Sequence, residues 1–431
     1  MKKKETVNII TLGCSKNTVD SERLMKQINC NNFNLIDDPN KADTLIINTC
    51  GFIEAAKEES INTILNAVKQ KKEGKIKKVI VAGCLSERYA DDLKEEIPEV
   101  DAFFGTEKYE DILNEIGGKL KRELLGERTL SGPPHTAYLK ISEGCDHPCS
   151  FCAIPLMRGL HKSKPIEVLV KEAEFLAKNN TKELILIAQD TTDYGKDIYG
   201  ERCLHKLLSE LSKIDGIKWI RVMYAYPSHF PQEVIKEIAE NPKICNYIDI
   251  PLQHISDSVL KSMRRGVTSN KIKELITDFR TKIPNVVIRT TFIVGYPNET
   301  ENEFYLLCKY IEEAKFDRIG VFTFSVEENT SSYILGNPIS EKVKEERKNK
   351  LMEIQKDISH ESNQKIVGKN MDVLIERQEG EFYVGRTYRD APEVDGEILI
   401  PTNTKKIIFG NFYKVKIYDC NEYDLFGKIV F

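Results

Sequence analysis

The chain has 431 residues, enough for two or three domains, and 41% hydrophobic residues, enough to fill ordinary cores. A net charge of −4 gives no overall field to draw nucleic acid, and no apolar run approaches the length of a membrane span. Eleven cysteines, an odd number spread over a long chain, lack the pattern of a secreted disulfide framework and fit a reducing cytoplasm.

The N-terminus carries basic residues but no long apolar region or small-residue cleavage site, so it reads as the approach to a first strand. Residues 7–12, 44–48 and 79–82 are β-branched apolar runs, each followed by an amphipathic helical stretch. That rhythm predicts a small parallel sheet with helices, a Rossmann-like three-layer α/β domain over 1–130. Residues 126–134 are turn-rich and read as a linker. A longer alternation follows, with strands predicted at 137–141, 183–188, 219–224, 247–250, 286–294 and 318–324. Helical stretches separate them, for example 166–178 and 301–314. Six β/α units predict a partial (β/α)6 barrel over 131–364, with its chemistry at the C-terminal ends of the strands. A charged helix at 341–365 leads into short alternating strands, which predict a small all-β barrel over 365–431.

Cys145, Cys149 and Cys152 are set as C-x3-C-x2-C just after the first barrel strand. Structural zinc is normally closed by four ligands, and simple iron–sulfur carriers usually use four thiolates. Three thiolates this close suit an iron–sulfur cube whose fourth iron is left for a small molecule. Cys14, Cys50 and Cys84 lie far apart in sequence, yet each falls one or two residues past a predicted parallel strand of the first domain. All three therefore share the sheet edge where open α/β sheets bind ligands. Each also adjoins a glycine (Gly13, Gly51 and Gly83), and Gly144 repeats the pattern at Cys145. Glycine tolerates positive φ and lets backbone pass close to a bulky group. Cys30, Cys203, Cys245, Cys308 and Cys420 have no such neighbour and read as ordinary buried thiols.

The Cys145 loop, with Phe151 at the aromatic position before its third Cys, resembles the signature of the radical S-adenosylmethionine (SAM) superfamily. The likeness covers nearly the whole chain. A domain with three separated Cys, this barrel and a small β-domain of the TRAM (OB-like) kind together resemble the methylthiotransferase family. Leu12-Gly-Cys-Ser-Lys-Asn17 with Asp20-Ser-Glu22, and Ala153-Ile-Pro-Leu-Met-Arg-Gly159, resemble its ribosomal-protein branch. So do Gln189-Asp-Thr-Thr192 with Tyr194-Gly195, Asp249-Ile-Pro-Leu-Gln-His-Ile-Ser256 and Met263-Arg-Arg-Gly266. The tRNA-modifying branch usually differs at Gln189-Asp190 and at His254-Ile255. Thr18 departs from the Leu often found there, away from the cysteines.

The resemblance implies two 4Fe–4S clusters, held by Cys14, Cys50 and Cys84 and by Cys145, Cys149 and Cys152. It implies SAM as both methyl donor and radical source, and a flavodoxin- or ferredoxin-like electron donor. The implied substrate is an aspartate of small-subunit ribosomal protein twelve, converted at its β-carbon to 3-methylthioaspartate. No catalytic residue beyond the cluster ligands is implied.

Phe151, Gln189, Arg221, Gln253 and Gly295 are candidates for contact with SAM or substrate. Gln189 ends the second barrel strand, Gln253 and His254 follow the fourth, and Gly295 ends the fifth within Ile293-Val-Gly295-Tyr-Pro297, a segment similar to the adenine-contacting one of radical SAM proteins. Arg221, inside the third strand, faces either the SAM carboxylate or a buried acid, and His254 serves either the site or the cap of the next helix. Residues 365–431 hold ten Lys or Arg against eleven Asp or Glu, a balance that predicts no strong binding to tRNA phosphates. Glu393, Asp395 and Glu397 read as either a landing surface for a basic ribosomal-protein loop or a solvated face. The rival readings are a tRNA adenosine methylthiotransferase, a non-catalytic iron–sulfur carrier and a zinc-binding scaffold.

Overall fold

Side-chain alternation builds the first layer. In the computed structural model, which describes residues 4–402 and 407–430, five parallel strands form a sheet of order β2-β1-β3-β4-β5. These are β1 (Thr6–Thr11), β2 (Asn34–Leu35), β3 (Thr44–Thr49), β4 (Lys78–Gly83) and β5 (Ala102–Phe103). Helices α1 (Ser15–Asn29), α2 (Glu54–Lys72), α3 (Cys84–Glu96) and α4 (Tyr109–Glu115) connect or follow them. Successive strand residues point to opposite faces. Leu45, Ile47, Val79 and Val81 therefore pack with Ile64, Ala67, Leu85 and Leu93 of α2 and α3. Val7, Ile9, Ile46 and Ile80 pack the other way, with Leu24, Ile28, Ile112 and Leu113 of α1 and α4. The edge strands β2 and β5 were not predicted, because two residues are too few to carry a period. Residues 1–3, 403–406 and 431 lie outside the described residues, so two cations of the C-terminal charge balance, Lys405 and Lys406, have no structural account.

The central part holds six parallel strands, β6 (Thr136–Lys140), β9 (Glu183–Ile187), β10 (Trp219–Val222), β11 (Ile244–Asp249), β12 (Val287–Val294) and β13 (Arg318–Thr323). Their order is β13-β12-β11-β10-β9-β6, so β6 and β13 remain as edges and the barrel is incomplete. Two short strands, β7 (Ser142–Glu143) and β8 (Lys162–Ser163), pair across the base of the Cys145 loop. Helix α5 (Ile154–Arg158) lies inside that loop, and α6 (Ile166–Lys178) follows it. Helix Glu341–Gln364 then leads to a closed barrel of β14 (Asn370–Glu379), β15 (Phe382–Arg386), β16 (Ile398–Pro401), β17 (Asn411–Cys420) and β18 (Leu425–Ile429).

Both flanking parts fill the open barrel. Val19 of α1 and Ala391 of the C-terminal part join Ile185, Ile187, Met223, Cys245, Tyr247 and Val287 in one apolar cluster. This packing decides one expectation and corrects another. Arg221 meets a buried acid, the second of its two expected partners, and is no candidate for SAM contact. Its guanidinium donates to Glu183 at 2.8 Å and to the Tyr388 carbonyl at 2.7 Å, with both charged side chains fully buried. Asp395 cannot greet a basic loop, because it accepts from the Tyr247 hydroxyl at 2.6 Å and lies 3.5 Å from Arg289, with no exposed side-chain surface.

Candidate functional site

The two cysteine triads are built by different means. Cys145, Cys149 and Cys152 sit on one loop whose neck is closed by the β7–β8 ladder and by a hydrogen bond from Cys145 N–H to Gly159 O at 3.1 Å. Gly144 has φ +74°, and a Cβ there would stand 2.0 Å from the Leu160 carbonyl oxygen, so only glycine permits the neck. The loop is pinned from outside by Ser150, whose hydroxyl donates to Ser262 O at 2.9 Å and whose carbonyl accepts from Ser332 N–H at 2.8 Å. Phe151 packs beside Val259, Met263, Tyr296 and Phe324.

Cys14, Cys50 and Cys84 follow β1, β3 and β4 on one edge of the first sheet. The strand order reverses between β1 and β3, the crevice where doubly wound sheets place ligands. Cys14 caps α1 and Cys84 opens α3, so two of the three thiols sit at helix N-termini. Gly13, at φ +91°, would put a Cβ 2.7 Å from Cys50 Cβ; its absence allows Cys14 and Cys50 to share the crevice. Gly83 has φ +98°. Gly51 lacks positive φ and instead makes room for the Leu85 backbone, whose Cα would lie 2.8 Å from a Cβ.

The first triad meets the loop of the second. Cys84 packs with Ala153, which directly follows Cys152, and with Met157 of α5. Between them lies a buried network that the sequence reading did not assign. Asp20 of α1 accepts from Lys140 and, at 2.8 Å, from Arg158. Arg158 also donates to Glu143 at 3.1 Å and to Asn17. Burial raises the Asp20 carboxyl, but Lys140 and Arg158 overcome it and hold the group well below the usual carboxylate range. Burial works against the Arg158 charge, but its neighbours, Asp20 foremost, outweigh it and raise the group; the Asn17 oxygen that accepts from Arg158 lies 3.9 Å from Cys84 Sγ, which sets this cation beside the first-domain thiols. A signal existed for Lys140, a cation within an apolar strand, because such a residue is rarely buried without a partner.

On the barrel side, Arg265 donates to Cys149 Sγ at 3.2 Å and lies 4.3 Å over the Tyr226 ring. The Tyr226 hydroxyl is 3.5 Å from the same sulfur, and its ring stacks on His147 at 3.6 Å. His147 Nε2 lies 2.6 Å from Asp190. Gln189 donates to Glu143 at 2.9 Å, while Gln189 Oε1 and Gln253 Oε1 are buried without a partner. Gln253 has φ +74° and hydrogen-bonds through its backbone to Thr291 at 2.8 Å. Gly295 has no room for a side chain, since a Cβ would meet Lys344 Cγ at 2.3 Å. His254 Nδ1 accepts from Ser256 N–H at 3.0 Å, the residue that caps the next helix.

The donor sets fit iron–sulfur cubes and SAM. All eleven cysteines are free. Among the described residues, the groups whose ligating atoms gather within 4.8 Å are His147, Asp190 and Asp193, and Asp20, Glu107 and Glu143. Neither triad is drawn in to the roughly 3.8 Å sulfur spacing of a single zinc ion with Zn–S near 2.3 Å. Burial pushes the Cys84, Cys145 and Cys152 thiols each up to about 12, so taking up a cluster must displace their protons. The orphaned oxygens of Gln189 and Gln253 call for a donor such as an amine.

An open barrel with a three-thiolate loop at its strand ends, faced by a second triad, defines a radical SAM enzyme. The sequence matches models of the Radical SAM superfamily over residues 139–311, of Uncharacterized protein family UPF0004 over 6–105 and of the TRAM domain over 367–430. It is 52% identical over 426 residues to "Ribosomal protein uS12 methylthiotransferase RimO" of Christiangramia forsetii, covering 99% of this chain and 94% of that one. It is 47% identical to the protein of the same name from Bacteroides fragilis, covering 99% and 100%. The chain belongs to the RimO methylthiotransferase family and is an enzyme that uses SAM and 4Fe–4S clusters. Its fold is similar to that of TsrM, a radical SAM methyltransferase of Kitasatospora setae (TM-score 0.56, 11% identity, 89% of this chain and 81% of that one).

Proposed function

We propose that this methylthiotransferase acts on ribosomal protein uS12 and places a methylthio group on the β-carbon of an aspartate. The observation that carries this reading is the packing of the first triad on the loop of the second, with Cys84 against Ala153 and Met157. In our reading Cys14, Cys50 and Cys84 of a 1–130 domain hold one cube, and Cys145, Cys149 and Cys152 of a 131–364 domain hold the other. When bound, SAM supplies methyl transfer and hydrogen-atom abstraction, chemistry that an unactivated C–H bond requires. The protein's part is positioning. Gln189 and Gln253 offer buried oxygens to an amine, Arg265 donates to Cys149, and Arg158 sets a positive charge against the first-domain thiols.

The names of the relatives support uS12 as substrate. The near-balanced charge of the C-terminal domain over 365–431 supports a protein target over tRNA. A flavodoxin- or ferredoxin-like donor and a cytoplasmic setting belong to the same reading; no helix among the described residues is long and apolar enough to cross a membrane. Mass spectrometry of uS12 and tRNA from cells with and without the gene tests it. A methylthio group on a uS12 aspartate that disappears with the gene is the expected result. One that disappears from tRNA instead overturns the reading.

A further inference from the structure

Lys16 is the buried charge on α1 that its surroundings leave without a counter-ion. It is 7% exposed, and its ammonium lies 3.1 Å from the centre of the Tyr224 ring. Its charged neighbours on the helix are matched: Asp20 by Lys140 and Arg158, Glu22 by Arg128, and Arg23 by Glu172. Among the described residues Lys16 has no carboxylate partner, and the ring is its one recorded contact. A cation–π contact offsets only part of the cost of withdrawing an ammonium from water. The first turn of a helix, where Lys16 sits, disfavours a cation further.

The position narrows which anion would complete it. Lys16 is two residues past Cys14, and Tyr224 lies just beyond β10, two residues before the Tyr226 that reaches Cys149. The ammonium therefore stands at the seam where the start of α1 meets the C-terminal end of β10, the barrel edge that carries the Cys145 loop. The thiols on either side already have cations of their own, Arg158 beside Cys84 across Asn17 and Arg265 at Cys149. An aspartate substrate brings a carboxylate bonded directly to its β-carbon.

We infer that Lys16 binds the side-chain carboxylate of the substrate aspartate and so selects aspartate over its neutral isostere. This rests on the uS12 reading above. A salt-bridged ammonium holds the carboxylate, which is bonded directly to the β-carbon, while the Tyr224 ring backs the ammonium. No bond to Lys16 forms or breaks during the reaction.

The test measures binding of the cluster-loaded enzyme to purified uS12 bearing Asp or Asn at the modified position. Wild-type enzyme is expected to prefer Asp by about 30-fold or more, the usual scale for one partner of a buried ion pair. K16Q and K16M, each checked for iron content, are expected to bind the two forms alike, and K16R to keep a preference for Asp. Two neutral variants are used so that either one that assembles decides the matter. An undiminished Asp preference in a neutral variant, or no preference in the wild type, overturns the inference. Loss of all uS12 binding by the wild type overturns the substrate reading instead.

Discussion

One triad hangs from a single loop, while the other is assembled from three strands. Cys145, Cys149 and Cys152 need only a closed neck, a glycine at its base and a few pins to neighbouring loops. Cys14, Cys50 and Cys84 are separated by 36 and 34 residues and meet only because β1, β3 and β4 run parallel and end on one edge. The loop site is thus a local motif that a barrel can display by itself. The distributed site depends on tertiary structure and on the barrel packed against it, which makes it the more easily lost. What joins them is a short apolar contact and the buried network of Asp20, Lys140 and Arg158.

The largest expected effect separates the two jobs. Cys149→Ala is expected to abolish SAM cleavage and methylthio transfer together, whereas Cys50→Ala is expected to keep SAM cleavage and abolish transfer. Each variant should fall from about eight irons per chain to about four, one cube's worth. Quantifying 5′-deoxyadenosine and iron in parallel checks both. Transfer surviving in Cys50→Ala would mean the first-domain triad is not the sulfur-handling site.

A subtler substitution probes how each site is held. Gly13→Ala adds a Cβ 2.7 Å from Cys50 Cβ at φ +91°, which costs about 1–2 kcal/mol before any clash. The expected result is loss of the first-domain cube with SAM cleavage preserved. Gly144→Ala, where the Leu160 carbonyl would lie 2.0 Å away, should show the reverse loss, with SAM cleavage gone. Gly126→Ala meets nothing within 4 Å and should change neither. Equal iron loss in the Gly13 and Gly144 variants would erase the distinction between a local and a distributed site.

How much of this was legible in the sequence follows from the range over which each pattern acts. The helices at Ile166–Lys178 and Glu301–Ala314 carry their own period, and both were predicted with those bounds. Strand ends located the distributed cysteines, because a Gly–Cys pair after an apolar run is a local sign of a tertiary edge. The domain seams were not legible. Asp20 and Lys140 are 120 residues apart, and Arg23 and Glu172 are 149 apart, so each reads alone as a solvated charge. On α1, Lys16, Asn17, Asp20, Ser21, Glu22 and Arg23 are all buried, since the helix is held between a sheet and a barrel. The partners of Arg221 and Asp395 were hidden for the same reason. They come from distant segments of the barrel and the C-terminal part.

The seam itself supplies the smallest of these expected effects. Glu172 of α6 pairs with Arg23 of α1 at 2.9 Å and with Arg128 at 3.2 Å, and its side chain is 1% exposed. Burial raises its carboxyl, but Arg23, Lys164 and Arg128 together bring it down to about 2, from 4.5. A depressed carboxylate stabilises the folded form fully above its unfolded pKa, and that contribution is lost as pH falls through the folded value. Urea unfolding of the cluster-free protein should therefore show stability draining between about pH 4.5 and pH 2. Glu172→Gln should lose about 3 kcal/mol at neutral pH, because two buried guanidinium groups are left short of a carboxylate. It should also lack that share of the acid-dependent slope. Since α1 carries Lys16 and follows Cys14 directly, the same variant should loosen the first-domain site before the loop site. Iron release under chelator, followed by the loss of each cube's signal, reads that order. Simultaneous release from both sites would mean that the seam does not govern how the triads face each other.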